Sequence, residues 1–421
     1  MRRAPSLVVV PALLLLAAPG CGEGTPRSQD SSDAATSASS APPVIDSIAS
    51  PAGPGSAEPN LAVGPDGRIY LSWFEAVDSA QALRFAVHDG SAWSAPRTIR
   101  QGRDFFVNWA DFPSLAVMKD GRLIAHWLQR TGKSTYAYGV RIAQSGDGGE
   151  TWSAPVALHT DNSDTEHGFV SMWADGGTGG AMWLDGRKYS KAGHNPSNEM
   201  MLMSASIDAF GKPTGETTVD ARVCDCCQTA AAMTSTGPVV VYRDRTANEI
   251  RDIYVVRRVG GTWSEPMPVH DDGWNIAACP VNGPSISARG SRVGVAWFTA
   301  ANDSARVKFA FSDDAAARFG APVRVDDGNP AGRVGTVLLD DGSALVTWIE
   351  RTGGDTASVL VRRIAPDGTR GPSVTVAMSS AARASGFPRV ALTNSHALFA
   401  WTQPGKPSTV RTARVALTAF R

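Results

Sequence analysis

From Pro59 to the C-terminus an apolar run ending in an aromatic residue returns seven times, at Trp73, Trp127, Trp183, Tyr242, Trp297, Trp348 and Trp401. The spacings between them are 54, 56, 59, 55, 51 and 53 residues. A period of this size marks repeated units that bury their faces against one another, and so a propeller or solenoid rather than a string of unrelated domains. Each unit has the same grammar: an alternating strand, an Asp-Gly type turn, a second strand ending on the aromatic, a polar loop and a third strand. Repeat one runs from Pro59 through Asp66-Gly67 to Trp73, repeat two from Pro113 through Asp120-Gly121 to Trp127, and repeat six carries Asp341-Gly342 before Trp348. Alternation of period two about Asp-Gly predicts hairpins. The expectation is an all-β propeller of seven blades, the alternative being six blades with an appended strand set.

Residues 1–20 have the layout of an export signal: two arginines, the apolar run Leu7 to Ala18, then small residues before Cys21, in a stretch too short to span a bilayer. This segment resembles a bacterial lipoprotein signal, which implies lipidation of Cys21. Gly22, rather than Asp, then implies the outer membrane within an extracytoplasmic cell envelope. Residues 21–56 are almost all Ser, Ala, Pro, Gly, Asp and Thr, and are expected to form a disordered tether, since too little apolar surface is present to offset the entropy of ordering. Residues 57–421 remain for the propeller. Forty basic and forty acidic residues cancel, which removes any electrostatic case for a nucleic-acid partner. A monomer is expected, with the lipid as its one link to a membrane.

One turn sharpens the fold expectation. Ser145-Gly-Asp147-Gly-Gly149-Glu-Thr151-Trp152 matches the Asp box, Ser-x-Asp-x-Gly-x-Thr-Trp, at every position, and worn copies follow the third strand near Asp89, Gly261 and Ser312. On these residues the chain resembles the sialidase (neuraminidase) superfamily of Asp-box, or bacterial neuraminidase repeat, propellers. In that family the box is structural and lies away from the reaction site.

Propellers place the loops leading into each innermost strand, and the loops between second and third strands, on one face around the channel. Repeats three to five load that face with chemistry, and titratable groups converging at a channel mouth are the default site hypothesis. The catalytic candidates are Asp111, Glu166, His167, Asp185, Tyr242 and Glu249. The candidate ligand-binding residues are Arg187, Arg243, Asp244, Arg245, Trp274, Asn282 and Arg333. The blander reading of each is a turn or ion-pair residue bracing neighbouring blades. The family resemblance implies an arginine clamp on a substrate carboxylate, a tyrosine nucleophile beside a glutamate, and an aspartate acid/base. Arg187, Arg243, Arg245 and Arg333 can supply the clamp and Tyr242 or Tyr189 the phenol, but the family's order of residues is not reproduced.

Four further cysteines, Cys224, Cys226, Cys227 and Cys279, read first as two disulfides in an exported chain, with Cys279 joined to one of the triplet. The competing reading is a thiolate site for copper(I) or zinc, completed by His167. No cofactor is favoured. Three functions follow: recognition of a glycan or other anionic ligand at the mouth formed by repeats three to five; exo-glycosidase activity of sialidase type at a diverged site; or a metal- or redox-linked propeller centred on the cysteines.

Overall fold

The computed structural model describes residues 43–189 and 199–420, so Cys21 and the signal segment lie outside the described residues. The chain forms seven antiparallel sheets in ring order, which settles the blade count at seven. Their innermost strands are Ser56–Val63, Ser114–Val117, His167–Asp175, Ala230–Thr234, Ser285–Arg289, Pro330–Leu338 and Arg389–Leu392. In blade four the outer edge is split into Thr262–Trp263 and Met267–Pro268, both paired with Ile253–Val259.

The repeated aromatic wedges each blade against the one before it. Trp127 packs with Leu83 and Phe85 of blade one, Trp183 with Ile124 and Val140 of blade two, and Tyr242 with Leu184 and Leu202 of blade three. Trp297, Trp348 and Trp401 continue the pattern, and Trp73 closes the ring against Ala400 and Val410 of blade seven. Burying so large a side chain at every interface explains why the period survives where other positions vary.

The residue two places after the aromatic has its own recurring task. Glu75, Asp185 and Glu350 each accept the indole N–H of Trp73, Trp183 and Trp348, at 3.0, 2.9 and 2.6 Å. Gln403 does the same for Trp401 at 3.4 Å. A buried indole donor needs a partner, and an acid at this register supplies it from the same strand.

Ring closure departs from the expected tether boundary at residue 56. Asp46–Ile48 forms the outer strand of blade seven, with Asp46 opposite Arg414 and Ile48 opposite Thr412. Arg414 Nε lies 2.7 Å from Asp46 Oδ2, while Ile45 and Ile48 pack against the blade's apolar residues. These two isoleucines are what the otherwise small and polar segment has to bury. They convert its end from tether into strand, so the fold begins before the predicted boundary.

A channel of about 450 Å³ runs between the innermost strands. The loop leading into blade two crosses its mouth. Ala110 O accepts from Gln228 Nε2 of blade four at 2.7 Å, Trp109 stacks on Phe387 and lies under Arg333, and Phe112 lies under Arg389. This aromatic and cationic stack, contributed by blades two, six and seven, diverts any site from the axis to the rim.

Candidate functional site

The rim between blades two and four brings together a continuous set of ionisable groups. Tyr138, at the start of the third strand of blade two, donates its hydroxyl to Glu166 Oε2 at 3.2 Å. Burial, reinforced by the charge of Asp225, pushes the Glu166 carboxyl up to about 8. Asp225 in turn lies 3.3 Å from Arg251 and 3.6 Å from Arg245. Glu249 closes the network, accepting from Arg245 at 2.7 Å and from Arg251 at 2.8 Å, and these arginines hold its carboxyl below the usual range. Tyr189 belongs to the same set: burial, then Asp225 and Glu166, raise its phenol well above its ordinary value. One neutral carboxyl thus stands beside a braced set of two arginines and two carboxylates.

The arrangement offers both hydrogen-bond donors and acceptors. At neutral pH Glu166 carries a proton it can donate, while the guanidiniums of the network donate and the Glu249 carboxylate accepts. Asp111 is a second carboxyl displaced toward its protonated form. Burial raises it to about 7, against the opposing hydrogen bond from Phe169 N at 2.7 Å. Its oxygen fills the space beside Gly168, where a Cβ would approach to 2.2 Å, and so it serves the backbone at the head of blade three.

Most of the remaining candidates are braces. Arg243 is 1% exposed and gives its donors to the carbonyls of Arg251, Asn282 and Phe298 at 2.6–3.1 Å, with its guanidinium over Trp274. The corresponding position is Phe74, Leu128 and Leu184 in blades one to three, so this arginine occupies an apolar place and spends its donors on backbone. Arg333 donates to the carbonyls of Ala381, Ala382 and Gly386 and, among the described residues, to no carboxylate. Asn282 links blades five and six, its Oδ1 accepting from Arg333 N at 2.8 Å. Arg187 forks onto Asp185, 2.7 Å at each oxygen, and also holds Glu216. The three-arginine clamp expected from the resemblance is therefore not assembled from Arg187, Arg243 and Arg333.

Asp185 is the indole acceptor of its blade. Burial would raise its carboxyl, but Arg187 and then His167 hold it below the usual range. His167 points its Nε2 at Asp161, 3.0 Å away, and stacks on His159 at 4.0 Å. Tyr242 donates to Asp220 Oδ2 at 2.6 Å on the outer strand of blade three, so its phenol is a tie between blades three and four. Asp244, at the position of the indole acceptors, is raised to about 7 by burial and Asp220.

Among the cysteines, Cys226 and Cys279 form a disulfide with a Cα separation of 6.0 Å, joining the loops that lead into blades four and five. Cys224 and Cys227 are buried thiols in the same loop. The sulfurs of Cys224, Cys226 and Cys227 lie within 4.8 Å of one another, a spacing a metal ion can use. That grouping does not include His167, and the sulfur of Cys226 is already bonded to Cys279. Two thiols are left, fewer than the four ligands of a closed structural zinc site, whereas a pair of soft thiolates is still a donor set that copper(I) accepts.

The phenol that meets a glutamate is Tyr138, which sequence reasoning passed over. It sits eleven residues after Trp127, past a loop in which no motif singles it out. Asp225, hidden among the cysteines, was passed over as well. At the Ser145–Trp152 turn, Asp147 accepts from Thr151 N at 3.0 Å and Ser145 Oγ from Gly149 N at 2.8 Å. The turn faces Phe85 of blade one, far along the blade from the rim.

The chain matches no protein-family model and no curated protein sequence. Solved structures do resemble it. The polysaccharide lyase Uly1 superposes with a TM-score of 0.53 at 10% identity, over 86% of this chain and 90% of that one. A protein of unknown function from Dyadobacter fermentans gives 0.48 at 16% identity, over 89% and 97%. The intramolecular trans-sialidase from Ruminococcus gnavus gives 0.44 at 10% identity, over 87% and 95%. At these identities the likeness is one of fold alone.

Proposed function

We propose that the protein is a glycan-binding propeller whose ligand seats on the rim of blades three and four, over Tyr189, Glu166, Asp225, Arg245 and Glu249. The observation that carries this reading is the network in which Arg245 and Arg251 share Asp225 and Glu249, with the Glu166 carboxyl, which burial pushes up, beside it. An anionic ligand would have to displace carboxylates already paired with these arginines. Sugar hydroxyls, which donate and accept at once, can add to the network without breaking it. That Uly1, a polysaccharide lyase, shares the architecture is in keeping with a glycan.

A glycosidase reading has one observation in its favour, the contact of Tyr138 with Glu166. Against it, the Tyr138 ring is 2% exposed and stacked on Phe106 at 3.9 Å, out of reach of a sugar ring. Glycan-array screening of the folded chain, followed by calorimetry, tests the proposal. Asp225→Asn and Arg245→Lys are each expected to weaken binding about tenfold, the loss of one charge-assisted hydrogen bond. No binding to any glycan, or binding indifferent to both substitutions, refutes it. Turnover of an aryl sialoside that disappears in Tyr138→Phe would instead establish hydrolysis. The same proposal places the protein in the cell envelope on a lipid carried by Cys21, and Cys21→Ser should move it to the soluble fraction.

A further inference from the structure

Cys224 and Cys227 stand three residues apart in the loop leading into blade four, and their sulfurs are 2.8 Å apart. Both side chains are shut off from solvent. Even carbon atoms, smaller than sulfur, settle at about 3.5–4.0 Å without a bond, whereas bonded sulfurs lie at about 2.05 Å. The pair is therefore too close for two thiols at rest and within a small shift of a covalent link. The neighbouring disulfide removes the competing partner, since the Cys226 sulfur, 4.0 Å from that of Cys224, is committed to Cys279.

We propose that Cys224 and Cys227 close a second disulfide, nested inside the loop that Cys226–Cys279 ties to blade five. Arg251 Nη1 lies 3.6 Å from Cys224 Sγ, which makes Cys224 the sulfur more readily held as a thiolate and so the attacking one. With Arg251 already beside the loop but its outer face not yet covered, the Cys224 thiolate attacks one sulfur of a low-molecular-weight or protein disulfide. A mixed disulfide forms and one donor thiolate leaves. The Cys227 thiolate then attacks the Cys224 sulfur, the mixed disulfide breaks, and the second donor thiolate leaves. Two protein thiols are oxidised and one donor disulfide is reduced to two thiols, so electrons and protons balance.

The bond has a consequence for the rim. Asp225, the residue that bridges Arg245 and Arg251, is flanked on both sides by cross-linked cysteines. The loop is thereby fixed at Cys224 and Cys227 within itself and at Cys226 to the next blade, which holds the Asp225 carboxylate where both guanidiniums reach it. The Cys224–Cys227 bond thus acts as a positioning device for Asp225.

The test is a mass measurement on the full chain, with cells lysed directly into denaturant containing N-ethylmaleimide so that the buried thiols are blocked and air oxidation during purification contributes nothing. Trypsin leaves Cys224, Cys226 and Cys227 together in the peptide Val223–Arg243, joined to the peptide carrying Cys279. The linked pair is expected to carry no maleimide, to weigh four hydrogens less than the two reduced peptides together, and to take up four labels after reduction. A linked pair only two hydrogens lighter, with maleimide on Cys224 and Cys227, overturns the proposal. So does a pairing of Cys279 with Cys224 or Cys227, or zinc or copper retained at one equivalent with these thiols protected until a chelator is added.

Discussion

Replacing Glu166 by Gln should flatten the pH dependence of stability in a way that isolates this one carboxyl. Burial and Asp225 raise its pKa from 4.5 to about 8 in the folded chain. Between those values the native state holds a proton that the unfolded chain has lost, so stability falls as pH rises through the window and levels off above it. At about 1.4 kcal/mol per unit, the full displacement amounts to about 5 kcal/mol at pH 8 and above. Gln keeps an oxygen to accept the Tyr138 hydroxyl, so below pH 4.5 the variant should match the parent to within about 1 kcal/mol. For residues 43–420 the unfolding entropy is on the order of 0.8 kcal/mol per kelvin, which converts the difference to roughly 6 °C in Tm at pH 8.5. Asp111, Asp244 and Glu58, each raised to about 7 chiefly by burial, stay in both chains and give both a common decline. Urea denaturation of parent and variant at half-unit intervals from pH 4.5 to 9 measures the difference directly. Parallel curves, with the Glu166→Gln difference constant across the range, would refute the reasoning and show Glu166 to be ionised and solvated in the native state.

Two further outcomes follow from the same structure. Arg243→Met should lower stability by about 3–5 kcal/mol, because it leaves the buried carbonyls of Arg251, Asn282 and Phe298 without their donor; an unchanged urea midpoint would return Arg243 to the list of ligand residues. A chain begun at Ser56 loses the outer strand Asp46–Ile48 and bares Thr409–Ala416 as an open edge. It should melt a few degrees lower and associate on concentration, each half-buried isoleucine contributing about 1 kcal/mol; an equal Tm would show that Asp46–Ile48 does not secure the ring.

The site was less legible than the fold, and individual residues show why. Asp185, Asp244, Arg187 and Arg243 drew attention as charged residues bunched after an aromatic. Comparison of the seven repeats explains Asp185, which falls where Glu75, Glu350 and Gln403 hold an indole. Arg243 could not be understood that way, because its acceptors belong to Asn282 and Phe298 of the next blade. The turn at Ser312 shows the reverse. Its motif is worn, with Ala316 in place of glycine, yet Ser312 Oγ still accepts from Ala316 N at 3.0 Å and Asp314 from Arg318 N at 2.9 Å. The serine and aspartate alone carry the turn.

What the chain determined by itself was everything carried by local order: strands from period-two alternation, hairpins from Asp-Gly, and seven equivalent units from the recurring aromatic. Those properties depend on neighbours within a few residues, and the backbone expresses them wherever the segment lies. Only the tertiary structure decided that Asp46–Ile48 closes blade seven, that Trp109 and Phe112 cross the channel mouth, and that Tyr138, Glu166, Asp225 and Arg245 meet on one rim. These pairings join residues from 20 positions apart, as Asp225 with Arg245, to nearly the whole ring apart, as Asp46 with Arg414. Whether a buried donor, acceptor or charge is satisfied depends on which groups the ring brings beside it, and no periodicity along the chain records that.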